Sequence, residues 1–228
     1  MSHQRAAAED EKLTAVAPPE RPAAVPQHTR LQRELAAPQL ARRPTALDAF
    51  RIARRTFHAA ERLDMSALAD QVGVNRATLY RWVGSRDQLL TEIAWSRTML
   101  TLDYLDAKTG ATGAERIVQV VGGYIEEVNN DPGTRRWLSE EGESAMRLLT
   151  RRDPSRRESD FQPRLQGAIR TLLQEETDAG RLALPVDLDQ LAYVLVRLIE
   201  SYVYLDLITG EQPQSEQAEP ILRLLLER

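Results

Sequence analysis

Cysteine is absent from the chain, which excludes disulfides and every thiolate metal or redox centre. Histidine is scarce: His3, His28 and His58 are the full set. The first two stand in a leading stretch rich in Pro and Ala. His58 stands alone in a helical pattern, where a histidine is more often a surface or core residue than a catalyst. No G-x-S-x-G elbow, Walker loop or metal-spaced cluster occurs. Hydrolytic, nucleotide-cleaving and metal-dependent chemistry therefore lack candidate residues, and neither an enzyme nor a cofactor is expected. Long apolar runs are missing too. The nearest approach to the roughly 18 residues of a membrane span runs from Leu188 to Thr209, and Arg197, Glu200 and Asp206 interrupt it. The opening MSHQRAAAEDEK lacks the apolar core of a secretory signal. A soluble, cytoplasmic protein is expected. No segment alternates with a period of two between hairpin turns, so no sheet is expected.

What is present is helix after helix. Hydrophobic residues make up 42% of 228, enough for a buried core in one or two domains. Net charge is −4, but it is unevenly spread. Residues 41–90 carry nine basic and five acidic side chains, whereas 91–228 carry 16 basic and 24 acidic. A basic module on an acidic body is the asymmetry of a chain that meets phosphate at one end. Residues 1–43 (with APPERPAAVP) read as a disordered tail. Arg30, Arg33, Arg42 and Arg43 at its end either reach a DNA groove or lie in a solvated linker. Residues 44–90 then form a small domain and 91–228 a larger one.

The caps mark the helices. Thr45 opens the first, whose apolar face holds Leu47, Phe50, Ile52, Ala53, Phe57 and Ala60. Asp64 caps a second over MSALADQV, and Asn75 a third over RATLYRWV. Ser85 and Gln88 have capping-box spacing and open a long fourth helix through Leu105. Asp131-Pro132 and Asp153-Pro154 each put an N-cap before a proline at the first helical position. Asp187 and Gln190 have the spacing of another reciprocal cap.

The stretch LDMSALADQVGVNRATLYRWVGSRDQLL carries the functional signal. Leu68, Ala69 and Val72 line one side of the second helix. Gly73 reverses the chain through a left-handed turn. Val74 packs into that turn, and Leu79 of the third helix faces the same core. This is a helix-turn-helix. The other face of the third helix offers Arg76, Ala77, Thr78, Tyr80 and Arg81. A recognition helix reads base edges with its N-terminal residues. Arg76 can fork onto guanine O6 and N7, and the Ala77 or Thr78 methyl can meet a thymine methyl. The hydroxyls of Thr78 and Tyr80 suit phosphate oxygens. Arg86, in the first turn of the fourth helix, is a further phosphate candidate. Asn75 completes the set at the helix start.

This stretch resembles the TetR family of bacterial regulators. Leu68-Ala69, Gly73-Val74 and Leu79-Tyr80 match the family's spacing, and Arg86 stands where the family has a lysine. Trp82-Val83 departs from the usual His or Tyr followed by Phe. Val83 is expected to fill the core slot. Trp82 departs from the family's phosphate-contacting residue, although its indole N–H can still donate, and it stays among the candidate DNA contacts. The resemblance implies an all-α fold: a three-helix DNA-binding domain followed by a helical ligand-binding and dimerisation domain. It implies a homodimer on a palindromic operator in double-stranded DNA, released by a small-molecule effector that alters the spacing of the two third helices. RRWLSEEGESAMRLLT is similar to a subgroup linked to lactone degradation. A helical scaffold without sequence-specific DNA binding is the alternative.

In the larger domain, DLDQLAYVLVRLIESYVYLDLIT reads as one helix, apolar on nearly every side and hence buried all round. The resemblance places it at a dimer interface, joined by Ile221, Leu222, Leu224, Leu225 and Leu226. Trp95, Tyr124, Trp137, Met146 and Phe161 are candidate pocket lining or plain core. Arg197 and Glu200 either face a polar ligand group or satisfy each other. Gly122-Gly123 leaves room for a ligand or for a close helix neighbour.

Overall fold

The computed structural model describes residues 29, 32, 44–152, 159–184 and 186–226. The described residues form an all-α architecture with no strand. The helices are α1 (Ala46–His58), α2 (Met65–Val72), α3 (Arg76–Val83), α4 (Arg86–Lys108), α5 (Gly113–Asn130), α6 (Pro132–Thr150), α7 (Phe161–Asp178), α8 (Leu188–Val203), α9 (Leu205–Thr209) and α10 (Ala218–Leu226). None is long and apolar enough to cross a membrane. Of the expected tail, 1–43, only Thr29 and Gln32 are among the described residues. Arg30, Arg33, Arg42 and Arg43 fall outside them, as does the Asp153-Pro154 cap. Gln32 donates to Glu92 of α4 at 3.2 Å.

The caps act where the sequence sets them. Thr45 and Asp48 form a full capping box at α1, Asp64 accepts from the N–H groups of Ser66 and Ala67, and Ser85 with Gln88 boxes α4. Asp131 accepts from Thr134 N–H at 2.7 Å ahead of Pro132. Asp187 caps α8 through the N–H groups of Asp189 and Gln190, a one-sided cap where the spacing suggests a reciprocal one. α1, α2 and α3 close around Phe50, Ala53, Leu68, Leu79 and Val83, all buried. α4 continues from them into the larger body, where it packs on α5, α6 and α7. α5 is wrapped by α4, α8 and α10, and α7 lies along α8.

Two expectations change here. The apolar run from Asp187 to Thr209 is not one all-round buried helix. It breaks at Tyr204 (φ −104°, ψ 13°) because Arg135 of α6 draws on the break, donating to the Val203 carbonyl at 3.1 Å and pairing with Asp206. α8 is amphipathic within the chain: Leu191, Leu195, Val196 and Ile199 are buried, while Tyr193 and Val194 are exposed. The last helix is divided in the same way. Leu222 and Leu226 are buried in the chain's own core, and Ile221, Leu224 and Leu225 face out. Gly123 allows close packing, since a Cβ there would lie 2.9 Å from Leu105 Cδ2, whereas a Cβ on Gly122 would make an ordinary contact with Leu222 Cδ1 at 3.8 Å.

A buried carboxylate joins the start of α5 to the end of α7. Glu176, with 1% of its side chain exposed, accepts from Gly113 N–H at 2.7 Å, from Arg116 at 2.7 Å and from Arg181 at 2.6 and 2.9 Å. These donors, Arg181 foremost, hold its carboxyl down at about 2. A depressed folded-state value means stability that is present above the unfolded value near 4.3 and lost as pH falls toward about 2. Glu176→Ala is expected to lower unfolding free energy by about 3 kcal/mol, because it strands a buried amide and cationic partners. It is also expected to flatten the acid limb of stability between pH 5 and about pH 2, measured by urea titration across pH.

Candidate nucleic-acid interface and ligand cavity

The helix-turn-helix is built by local rules. Gly73 ends α2 at φ 77°, and Val74 N–H reaches back to the Ala69 carbonyl at 3.0 Å. A Cβ there would pay the left-handed penalty. Asn75 then opens α3, its Oδ1 accepting from Thr78 N–H at 2.7 Å. Leu79 and Val83 turn inward and are almost fully buried. The opposite face leaves Asn75, Arg76, Ala77, Tyr80 and Arg81 exposed, with Thr78 half-buried beside them.

Two residues expected on that interface lie elsewhere. Trp82 is buried at 5% exposure: it belongs to the core, with no surface left for a phosphate. Arg86 is committed inward. Its Nε donates to the Leu63 carbonyl at 2.9 Å, and its two terminal nitrogens fork onto Glu141 of α6 at 2.7 and 2.6 Å. That fork raises the guanidinium's pKa and lowers Glu141's. Glu141 sits at a break in α6, with φ −130° and ψ 29°.

A cavity with a free volume of about 60 Å³ lies in the larger body. Its wall takes Phe57 from α1, Thr98 and Arg97 from α4, and Tyr124 and Glu127 from α5. Asp131, the cap of α6, joins it, and α6 adds Thr134, Trp137 and Leu149; α7 adds Phe161 and Leu165; α8 adds Ile199, Glu200 and Val203, with Tyr204 beyond it. Phe57 and Trp137 meet edge to face at 5.7 Å. Tyr124 and Thr98 share a buried hydroxyl contact of 2.9 Å, and burial pushes the phenol up to about 12. Burial also raises the Glu200 carboxyl to about 7, against the pull of Arg197. Arg97 pairs with Asp131 and reaches His58 at the end of α1. Burial, then Arg97, holds the imidazole below its ordinary value.

Of the residues expected to line a pocket, Tyr124, Trp137, Phe161 and Glu200 come together on this wall. Trp95, Met146 and Arg197 do not. Trp95 backs the wall, edge-on to Phe161 at 6.3 Å and covered by Arg164 at 4.4 Å. Met146 packs against the core. Arg197 pairs with Glu200 at 2.8 Å, the ion-pair alternative, and lies over Tyr193. Sequence reading missed Phe57, Arg97, Asp131 and Tyr204. By local rules Asp131 reads as a cap and Phe57 as part of the apolar face of the first helix.

The C-terminal half, residues 112–227, matches the family model described as "Tetracyclin repressor-like, C-terminal domain". The transcriptional repressor QsdR of R. erythropolis, a TetR-family structure, is 30% identical with a TM-score of 0.71, over 79% of this chain and 93% of that one. RolR in complex with resorcinol matches at 14% identity and TM-score 0.58, over 80% and 87% of the two chains. FadR from Bacillus subtilis in complex with stearoyl-CoA matches at 16% and 0.54, over 79% and 97%. These last two share the fold. No curated protein matches at a significant level. The chain belongs to the TetR family. It is a transcriptional regulator with a ligand-binding type of C-terminal domain, from a family whose members are generally not enzymes.

The Arg86–Glu141 fork joins the small domain to the larger body with both side chains largely shielded. A double-mutant cycle over Arg86→Ala and Glu141→Ala, followed by denaturant unfolding, is expected to return a coupling of about 1–3 kcal/mol. Additive losses would show that the fork contributes no coupling.

Proposed function

We propose that the chain is a sequence-specific DNA-binding repressor, acting as a homodimer on a palindromic operator and released by a small molecule that enters the cavity. The observation that carries this reading is the outer face of α3. Arg76, Ala77, Tyr80 and Arg81 are all exposed on one short helix whose opposite side is core. A solvent-exposed arginine at the first turn, with small and hydroxyl side chains beside it, is the composition of a base-reading helix. Asn75, Arg76, Ala77, Thr78, Tyr80 and Arg81 form the proposed DNA contact. Trp82 packs in the core beneath that face, and Arg86 ties α4 to Leu63 and Glu141.

For the homodimer, support comes from apolar groups that the single chain leaves uncovered. Tyr193 and Val194 on α8 are 40% and 43% exposed, and Leu224 on α10 is 76% exposed. Side chains of this kind in the family's dimer-forming region call for a partner. Two α3 helices must then stand about one turn of DNA apart. A ligand releases the operator only if it binds one spacing better than the other. Phe57, shared by the cavity wall and α1, gives it purchase on that spacing.

The test is selection of bound sequences from random duplex DNA, followed by titration of the recovered site. A palindromic consensus is expected, and Arg76→Ala should weaken it by about 1–3 kcal/mol with relaxed preference at one base pair of each half-site. Recovery of no preferred sequence, with binding governed by salt alone, would favour the helical scaffold instead.

A further inference from the structure

The cavity wall has a charge balance that selects among effectors; this step rests on the cavity being the effector site. Arg97 is the one cationic residue on the wall among the described residues, and it is already engaged by Asp131 and His58. The wall's acids outnumber it: Asp131 and Glu200 inside and Glu127 at the solvent-exposed edge. Arg197 offsets Glu200 from outside the wall, at 2.8 Å. Even so, burial leaves the Glu200 carboxyl at about 7, so this interior already resists one negative charge. On the aromatic side, the indole N–H of Trp137 is buried with no acceptor among the described residues. A buried donor in that state is a standing demand for an acceptor atom.

We infer that the effector is an uncharged molecule with an apolar body and a hydrogen-bond-accepting head group, such as a carbonyl oxygen, and that carboxylates and phosphate-bearing compounds are rejected. A carboxylate entering here loses its water, meets acids of its own sign and finds no free cation. A neutral carbonyl loses far less solvation and accepts from Trp137, while Phe57 and Phe161 enclose its apolar part. An ammonium would be drawn by the acids, yet it would face the indole donor to donor.

The chain suits a matched set of probes of nearly one shape: benzamide, benzoate and benzylamine, titrated by calorimetry into the full-length protein at pH 7.5. Benzamide is expected to bind more than about tenfold tighter than benzoate, since like charges juxtaposed in a desolvated site are strongly disfavoured. Trp137→Phe, which keeps the ring and removes the donor, is expected to lower benzamide affinity by about three- to tenfold. Benzoate binding as tightly as benzamide overturns the charge selection while leaving the effector site standing. Benzylamine binding tightest, or benzamide affinity unmoved by Trp137→Phe, overturns the head-group assignment. Heat from none of the three, nor from hexanamide or hexanoate, counts against the cavity as an effector site, and this inference falls with it.

Discussion

The backbone of α1 at Phe57 rests directly on Gly133 of α6, and there is no space between them for even one methyl group. A Cβ at Gly133 would lie 2.2 Å from the Phe57 carbonyl oxygen. That contact joins the helix-turn-helix unit to the wall of the cavity. The Phe57 ring continues past the contact into the cavity and meets Trp137. His58, the next residue, receives Arg97, which also holds Asp131 at the start of α6. The last turn of α1 is therefore packed on α6, and His58 ties it to Arg97 of α4, which in turn pairs with Asp131 at the start of α6. The Arg86–Glu141 fork fixes α4 to α6 at a second place.

Under the proposed function, these joints would turn occupancy of the cavity into movement. A free volume of about 60 Å³ is well below the roughly 300–1,000 Å³ of ordinary ligand pockets. Anything larger than a small head group must press the wall outward. Because packed interfaces switch between discrete arrangements rather than deform smoothly, pressure on Trp137 or Phe57 reaches α1 with little loss. Glu141 already departs from helical dihedrals, so the break in α6 coincides with its second attachment, the fork to Arg86. The direction of the shift follows from which arrangement the ligand contacts better.

Much of this was legible in the sequence. MSALADQV and RATLYRWV gave α2 and α3 to the residue, because Asp64, Gly73 and Asn75 are local signals that need no tertiary context. The all-α fold and the family followed from the same stretch, while the family model matches the other half of the chain. What failed depended on distant partners. Arg86 looked like a phosphate ligand until Leu63 and Glu141, 23 and 55 residues away, took its donors. Trp82 reads as a surface donor by position, but its burial depends on how the three helices close. The run from Leu188 to Thr209 reads as one helix because Arg135, which breaks it, lies in α6. Phe57 and Asp131 carry two roles each, and periodicity or capping rules report only the nearer one.

The most direct measurement is the operator affinity of Gly133→Ala, compared with the parent protein by fluorescence anisotropy on the selected duplex, with circular dichroism and dimer mass as checks on folding. Gly133 lies on α6, outside the helix-turn-helix, and the added methyl would strike the Phe57 carbonyl of α1 directly, so an effect on α3 would report coupling between α6 and the small domain. A folded, dimeric variant with operator binding weakened about tenfold or more is the predicted result, equivalent to roughly 1.4 kcal/mol. A folded dimer that binds the operator as the parent does would contradict the joint.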